Sequence, residues 1–307
     1  MIGVGCLAHI VNNALKNSVE KLNFGEKNLN IFLAQIHQFF MHSSANRINN
    51  IFQIRAQLGI EQAYSNNKAP TKSYSKTRWL STGPAIDAII NQWHILDIYF
   101  QMEPEGKHVD SFKKFFENRN SFPLLITLRS LAAEVEEAVC KMEGKDVDLM
   151  SAIKIFDHLQ QKILQYRNDI TMPNIVSETI EQWEENEKLN FHLQLRELYD
   201  DIQLYMVQWS NWSNSLKLHR WATLDSELSQ EDVFNSAEAI SESCQINGAQ
   251  LQENIEAVNS FISTRPASWA TLSTSDRWLN LLNSVSGLIA LEKAASFILT
   301  LPGNKFC

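Results

Sequence analysis

The stretch that decides the fold is residues 123–142, PLLITLRSLAAEVEEAVCKM. Its apolar residues return every three or four positions, which is the spacing of one buried face of an α-helix. Glu134, Glu136 and Glu137 fall largely on the other side of such a helix. The segment therefore predicts a long amphipathic helix, whose buried stripe consists of Leu124, Leu125, Leu128, Leu131, Ala132, Val135 and Val139.

The same pattern extends outward over most of the 307 residues. The chain has only 10 glycines and 7 prolines, and long stretches without either are rich in good helix formers. The interval 61–77 is polar and is predicted to be a loop. We therefore predict a mainly α fold, with further helices over 6–18, 28–42, 45–58, 82–100, 109–118, 146–167, 175–206, 230–243, 251–262 and 275–299.

Charge is distributed unevenly along the chain, whose formal net charge is −8. Residues 1–100 hold 9 Lys/Arg against 5 Asp/Glu, whereas residues 101–307 hold 18 against 30. The chain therefore has a basic N-terminal third followed by an acidic helical body. The stretch between Glu61 and Asp87 contains no acidic residue and four cations, Lys68, Lys72, Lys76 and Arg78. It fits either a loop that faces phosphate or a solvated surface loop.

The cellular setting can be narrowed from apolar runs and cysteines. No apolar run approaches the roughly 20 residues that cross a bilayer, and no signal-like segment opens the chain. The four cysteines contain no Cys-x-x-Cys pair. We therefore expect no membrane partner, and reduced thiols in an intracellular compartment.

Motifs of several enzyme classes are missing from the sequence. It contains no Gly-x-Ser-x-Gly elbow, Walker loop, dinucleotide-binding glycine loop or His-Glu-x-x-His helix. Cys6 and His9 have the spacing of half a zinc site, but no second Cys/His pair of suitable spacing follows. No metal site is predicted, and His9 on local grounds is an ordinary helix histidine beside a packed cysteine.

Two aromatic groups carry alternative interpretations. Trp79 is either a core anchor or a platform on which an unpaired base stacks. In the second case the guanidinium of Arg78 would bind a phosphate or stack on the plane of the base. The second group interleaves aromatic and basic residues, as nucleic-acid-binding segments do, although its spacing also suits a helix packed into a core. It consists of Trp209, Trp212, Lys217, His219, Arg220 and Trp221.

Three landmarks, in this order, resemble hAT-superfamily DNA transposases and the domesticated proteins derived from them. The first is residues 5–15, GCLAHIVNNAL, which resembles the Cys-x-x-His helix of that family. The second is residues 76–81, KTRWLS, followed by a helix that ends at Phe100. The third is residues 297–304, FILTLPGN. Between the second and third landmarks, residues 101–296 match only as a helix-rich insertion of suitable length.

The resemblance implies a specific domain organisation. The family fold is an RNase H-like α/β domain interrupted by a large all-helical insertion. Residues 1–100 would then be an incomplete RNase H-like region, and residues 101–285 the all-helical insertion domain. Residues 286–307 would be a return helix toward the C-terminal catalytic and dimerisation block. We therefore expect a large helical insertion attached to an incomplete RNase H-like domain.

The resemblance also implies a function. The family cuts DNA at transposon ends with three carboxylates and two divalent metal ions, usually Mg²⁺, in the nucleus. His9, with Cys6 beside it, would lie near the scissile phosphate. Trp79 and Arg78 would receive a base flipped out of hairpin DNA, with Lys72 and Lys76 on the backbone.

The same comparison sets limits on activity. The family's second acid would precede the Cys-x-x-His helix and its third would follow the Leu-Pro-Gly-Asn segment, so neither is assignable in this chain. We therefore expect a fragment or domesticated derivative that is catalytically inactive as given and holds no cofactor. Its DNA affinity would be weak, and self-association would be possible if the C-terminal block were present. The alternative is a helical module whose acidic body binds proteins, without DNA chemistry.

Overall fold

The computed structural model describes residues 6–24, 27–41, 44–60, 70–73, 82–104, 106–144, 147–241 and 245–299. The helices in these ranges are α1 (Leu7–Lys21), α2 (Leu29–Met41), α3 (Ser44–Gln57), α4 (Thr82–Ile90), α5 (Trp93–Met102), α6 (Lys107–Glu117), α7 (Ser121–Met142), α8 (Leu149–Asp169), α9 (Asn174–Glu181), α10 (Glu185–Ser210), α11 (Gln230–Ala239), α12 (Gly248–Ser263), α13 (Thr274–Ser284) and α14 (Ile289–Leu299). Two 3₁₀ segments, Asn211–Thr223 and Ala267–Thr271, complete the helical part.

The prediction of a mainly helical chain is confirmed. In the described ranges the β-structure is limited to one antiparallel pair, β1 (Asn23–Phe24) and β2 (Lys27–Asn28), with Asn23 opposite Asn28. The stripe predicted for residues 123–142 lies in α7, and all seven of its apolar side chains are buried. Helix periodicity therefore identified the main buried face of this element correctly.

Three helices that the sequence predicts as single are each divided in two. The division between α4 and α5 falls at Asn91 and Gln92, where the Gln92 amide accepts a hydrogen bond from Arg55 and donates one to the carbonyl of Pro70. α9 and α10 separate at 182–184, where Glu187 accepts a hydrogen bond from the backbone N–H of Glu184. Glu187 thus satisfies a backbone N–H at the start of α10. Gln92 instead ties the division between α4 and α5 to Arg55 and Pro70.

The third division, between α13 and α14, depends on Gly287 and Asn254. Gly287 has φ of +82°, a left-handed conformation that glycine adopts without a Cβ clash. Asn254, on α12, donates to the carbonyl of Gly287 at 3.1 Å and accepts from the N–H of Leu291 at 3.2 Å. The interruption is therefore built by a residue more than 30 positions away, which periodicity along the segment does not reveal.

The chain forms two compact units. Unit A comprises Asn12–Glu137 and Gln161–Tyr205, and unit B comprises Met1–Val11, Ala138–Gln160 and Met206–Cys307 in their described parts. The boundaries fall inside helices α1, α7, α8 and α10. Segments distant in the chain pack together within each unit.

Unit A is organised around an aromatic cluster contributed by α2, α5 and α6. Phe32 stacks on Phe115 with ring centroids 3.6 Å apart, and Phe112 lies 4.9 Å from Phe100. Phe100 in turn stacks on Phe116 at 5.6 Å. These rings are fully or almost fully buried, and aromatic pairs add stability beyond the area they bury. The cluster joins three helices that are each too short to be stable alone.

Unit B is organised around Arg277, whose side chain is only 9% exposed. The guanidinium donates to the backbone carbonyls of Thr223, Trp269 and Ala270, and it also forms an ion pair with Asp225. Because a buried guanidinium needs partners for most of its donors, these bonds fix the end of the first 3₁₀ segment against α13. The indole N–H groups of two neighbouring tryptophans donate to the same turn, Trp269 to Leu224 and Trp278 to Ala222.

We predict that Phe112→Ala lowers the free energy of unfolding by about 3–5 kcal/mol, because it opens a cavity at the centre of the aromatic cluster. Urea unfolding followed by circular dichroism measures the effect. Phe234→Ala is the control, since Phe234 on α11 is 37% exposed and its removal leaves no closed cavity. Equal losses for the two variants would contradict the proposed role of the cluster.

Candidate nucleic-acid interface

The structure describes three of the six residues expected at the DNA site. Cys6, just before α1, is half-buried, His9 on α1 is exposed, and Lys72 is exposed in the short segment 70–73. Lys76, Arg78 and Trp79 lie outside the described residues. Cys6 is disulfide-bonded, which corrects the expectation of a reduced thiol at this position. Spacing along a sequence does not show which cysteines meet in space.

The first landmark forms helix α1 as predicted. Its apolar side chains at the expected spacing are buried, among them Leu7, Val11 and Ala14. His9, Asn13 and Lys16 recur at intervals of three and four residues and share the more polar face. His9 is seven residues from Lys16, which is about 10 Å along a helix. A two-turn polar strip with a cation at its far end is the result.

The C-terminal end of this strip, at Lys16, lies beside the beginning of α4 in unit A. A cavity of about 20 Å³ is lined by residues of α1, α2, α4 and α7, and its polar members are Asn12, Lys16, Asn30, Thr82 and Glu136. We call it the α1–α4 cavity. It is large enough for about one water molecule. Thr82 comes three residues after Trp79 in the sequence, so the cavity joins α1 to the residue that directly follows the second landmark.

A charged group sits behind this cavity. The Nε of Arg129 donates to Asp87 at 2.8 Å, and its Nη1 lies 3.7 Å from Glu136. Burial raises the pKa of Glu136, and the charge of Arg129 opposes that rise. A Cβ added to Gly83 would lie 2.4 Å from Oε1 of Glu136, so the carboxylate occupies space that only glycine leaves open. The negative end of Glu136 therefore rests on the first turn of α4, where the helix dipole favours it.

The segment 70–73 is bound to other residues of unit A at two points. The Gln92 amide donates to the carbonyl of Pro70 at 3.0 Å, and Nδ1 of His37 lies 3.3 Å from the hydroxyl of Thr71. Burial lowers the pKa of His37, and a hydrogen bond with the backbone of Thr71 opposes that change. Lys72, between buried Thr71 and solvent, is presented from a fixed backbone. Local sequence gave no signal for Gln92 or His37, because their partners lie 22 and 34 residues away.

The second aromatic–basic group is used mainly within unit B. Trp221 is buried, and Lys217 and Arg220 both form ion pairs with Asp157 on α8. His219 is buried, with Nδ1 2.6 Å from the hydroxyl of Ser236. These contacts favour the core interpretation for Trp221 and His219, whereas Lys217 and Arg220 are paired with Asp157 and stay partly exposed. Trp209 differs, because it is 53% exposed, and the side chain of Trp212 lies outside the described part.

Metal ligation and membrane crossing can be tested on the same ranges. In the part of the chain that the structure describes, no three His, Cys, Asp or Glu side chains are grouped so as to hold a metal ion. Within the described segments no helix has both the length and the apolar character needed to span a bilayer.

Comparison with known proteins adds no further assignment. The sequence matches no protein-family model, no curated protein and no solved structure at a significant level.

We predict that Gly83→Ala lowers the free energy of unfolding by about 1 kcal/mol, because the new methyl group displaces Glu136 from Arg129. In a Glu136→Ala background the same change should instead stabilise the protein by about 0.5–1 kcal/mol, the ordinary preference of a helix for alanine over glycine. A double-mutant cycle in urea measures this reversal of sign.

Gly248→Ala, in the first turn of α12, is the matched control for that cycle. Its added Cβ would lie at an ordinary 3.6 Å from Phe234, so its effect should not depend on Glu136. Additive effects of Gly83→Ala and Glu136→Ala would show that the close approach does not matter.

We predict that stability falls as the pH is lowered through about 6.5, because burial lowers the pKa of His219 and the unfolded chain then binds a proton that the folded chain does not. The loss attributable to His219 is at most about 1.4 kcal/mol per pH unit. His219→Gln should reduce the difference in unfolding free energy between pH 7.5 and 5.5, leaving the part due to His37. An unchanged difference would contradict a neutral, buried His219.

Proposed function

We propose that this chain is a fragment or domesticated derivative of a hAT-superfamily transposase, and that it binds hairpin or branched DNA such as transposon ends. The site would combine Lys16 of the α1 polar face with Lys72 and the Arg78-Trp79 pair. No catalytic acid is assigned in this chain, and the proposal is one of DNA binding in the nucleus.

One observation supports this proposal above the others. Asn12 and Lys16 of the first landmark helix line the same cavity as Thr82, which directly follows the second landmark. The two landmarks are about 70 residues apart in the sequence, so their proximity is not a consequence of chain connectivity. A shared DNA site requires this proximity. The incomplete RNase H-like domain also remains part of the proposal. It is supported by the sequence landmarks alone, because the strands of the described residues, β1 and β2, have only two residues each.

The charges of the described site favour weak binding. Lys16 lines the same cavity as Glu136, and the Arg129 guanidinium is already engaged by Asp87 and Glu136. Affinity would then come from a few exposed cations and from stacking, which is worth about 1–3 kcal/mol per base. Because the phosphate contacts release counterions, binding should weaken steeply as salt increases.

We predict that Trp79→Ala weakens binding to a DNA hairpin with unpaired terminal bases by roughly 5- to 150-fold, the loss of one stacked base. Fluorescence anisotropy with labelled hairpin and blunt duplex at low salt measures it. Trp209→Ala is the matched control, because Trp209 is an exposed tryptophan on another element. Equal affinity of the Trp79→Ala variant and the unmodified protein, or no hairpin binding at low salt, would reject the proposal.

A protein-binding role for the helical body is the second candidate. Large apolar side chains are exposed on helices of this region, including Leu204 on α10 and Leu279 on α13. Together with the acidic balance of residues 101–307, they favour a surface for protein partners.

A further inference from the structure

Helix α10 exposes large apolar side chains on the face opposite its buried one. Leu189, Leu193 and Leu204 have 56%, 44% and 67% of their surfaces exposed. The opposite face of the helix is buried in unit A through Phe191, Leu195, Leu198, Tyr199 and Ile202. A 26-residue helix that is apolar on both sides is unusual for a surface helix, which is polar on its outer face.

The exposed residues form a continuous seam. Leu189, Leu193, Arg196, Asp200 and Leu204 follow one another at intervals of 4, 3, 4 and 4 residues, which keeps them on one side of the helix. We call these five residues the α10 seam. Arg196 is exposed, and Asp200 accepts from Arg167 on α8 at 2.8 Å while its side chain remains 52% exposed. The seam therefore has leucines toward both ends and one charge of each sign at its centre.

We propose that the α10 seam binds the same seam of a second copy of this chain, with the two helices antiparallel. A two-fold axis near residue 198 places Leu193 beside Leu204 of the second copy and Arg196 beside Asp200 of the second copy. Each of these contacts then occurs twice, as an isologous interface requires. A parallel pair would instead bring Arg196 against Arg196 and Asp200 against Asp200, which like charges disfavour.

Charge complementarity distinguishes this occupant from others. A partner helix carrying one sign of charge would leave either Arg196 or Asp200 facing a like charge, whereas the seam is complementary to itself. The Arg167–Asp200 contact is compatible with the dimer, because a carboxylate can accept from two guanidinium groups. A single pair of helices buries less surface area than a standard interface. We therefore expect a dissociation constant on the order of 1 μM to 1 mM. The inference does not depend on DNA binding.

Sedimentation equilibrium of the full chain over a wide concentration range tests the proposal. The mass of the unmodified protein should rise from monomer toward dimer. Leu193→Asp should weaken dimerisation by about tenfold or more, because it places a charge in the apolar part of the seam. Leu279→Asp is the matched control on α13, where Leu279 is 60% exposed and lies outside the seam, and it should dimerise normally. Circular dichroism and thermal melting of each variant check that the monomer remains folded.

A charge exchange tests the direction of the helices. Arg196→Asp and Asp200→Arg should each weaken the dimer, since each creates like-charge contacts. The double variant should dimerise more tightly than either single variant, because it restores opposite charges across the axis. A monomer at all concentrations, or a dimer unaffected by Leu193→Asp, would overturn the proposal. A double variant no tighter than the single ones would overturn the antiparallel arrangement.

Discussion

An amphipathic helix cannot bury its apolar face alone, and the packing of this protein follows from that constraint. In unit A the aromatic rings of α2, α5 and α6 bury one another, with Phe32 stacked on Phe115 and Phe100 on Phe116. Helices of 10–13 residues are marginal in isolation, so their presence depends on this mutual burial. The same requirement explains why α7 buries its entire predicted stripe.

Burial also requires that polar groups find partners, and a few side chains do this over long distances. Gln92 bridges Arg55 and the carbonyl of Pro70, Asn254 serves the turn before α14, and Arg277 binds three carbonyls and Asp225. Each of them supplies a hydrogen bond that a backbone group would otherwise lack. They therefore determine where helices end and how segments meet within each unit.

Ion pairing has a direct bearing on function. Two cations that suggested nucleic-acid binding, Lys217 and Arg220, are both engaged by Asp157. A basic residue in the sequence is therefore a poor guide to a phosphate contact until its partners are known. Lys72 and Arg196 are exposed, and Asp200 stays 52% exposed beside Arg167, so these charges are available to partners.

The sequence by itself determined that the chain is mainly helical and which residues of α1 and α7 face the core, because helical periodicity is a local property of 10 to 20 residues. It did not determine that three predicted helices are each divided, that Trp221 is buried while Trp209 is exposed, or that Gly83 makes room for Glu136. Those features depend on residues that are distant in the chain and adjacent only after packing. Only the tertiary structure brought Asn12 and Lys16 beside Thr82, in a cavity that side chains from α2 and α7 also line.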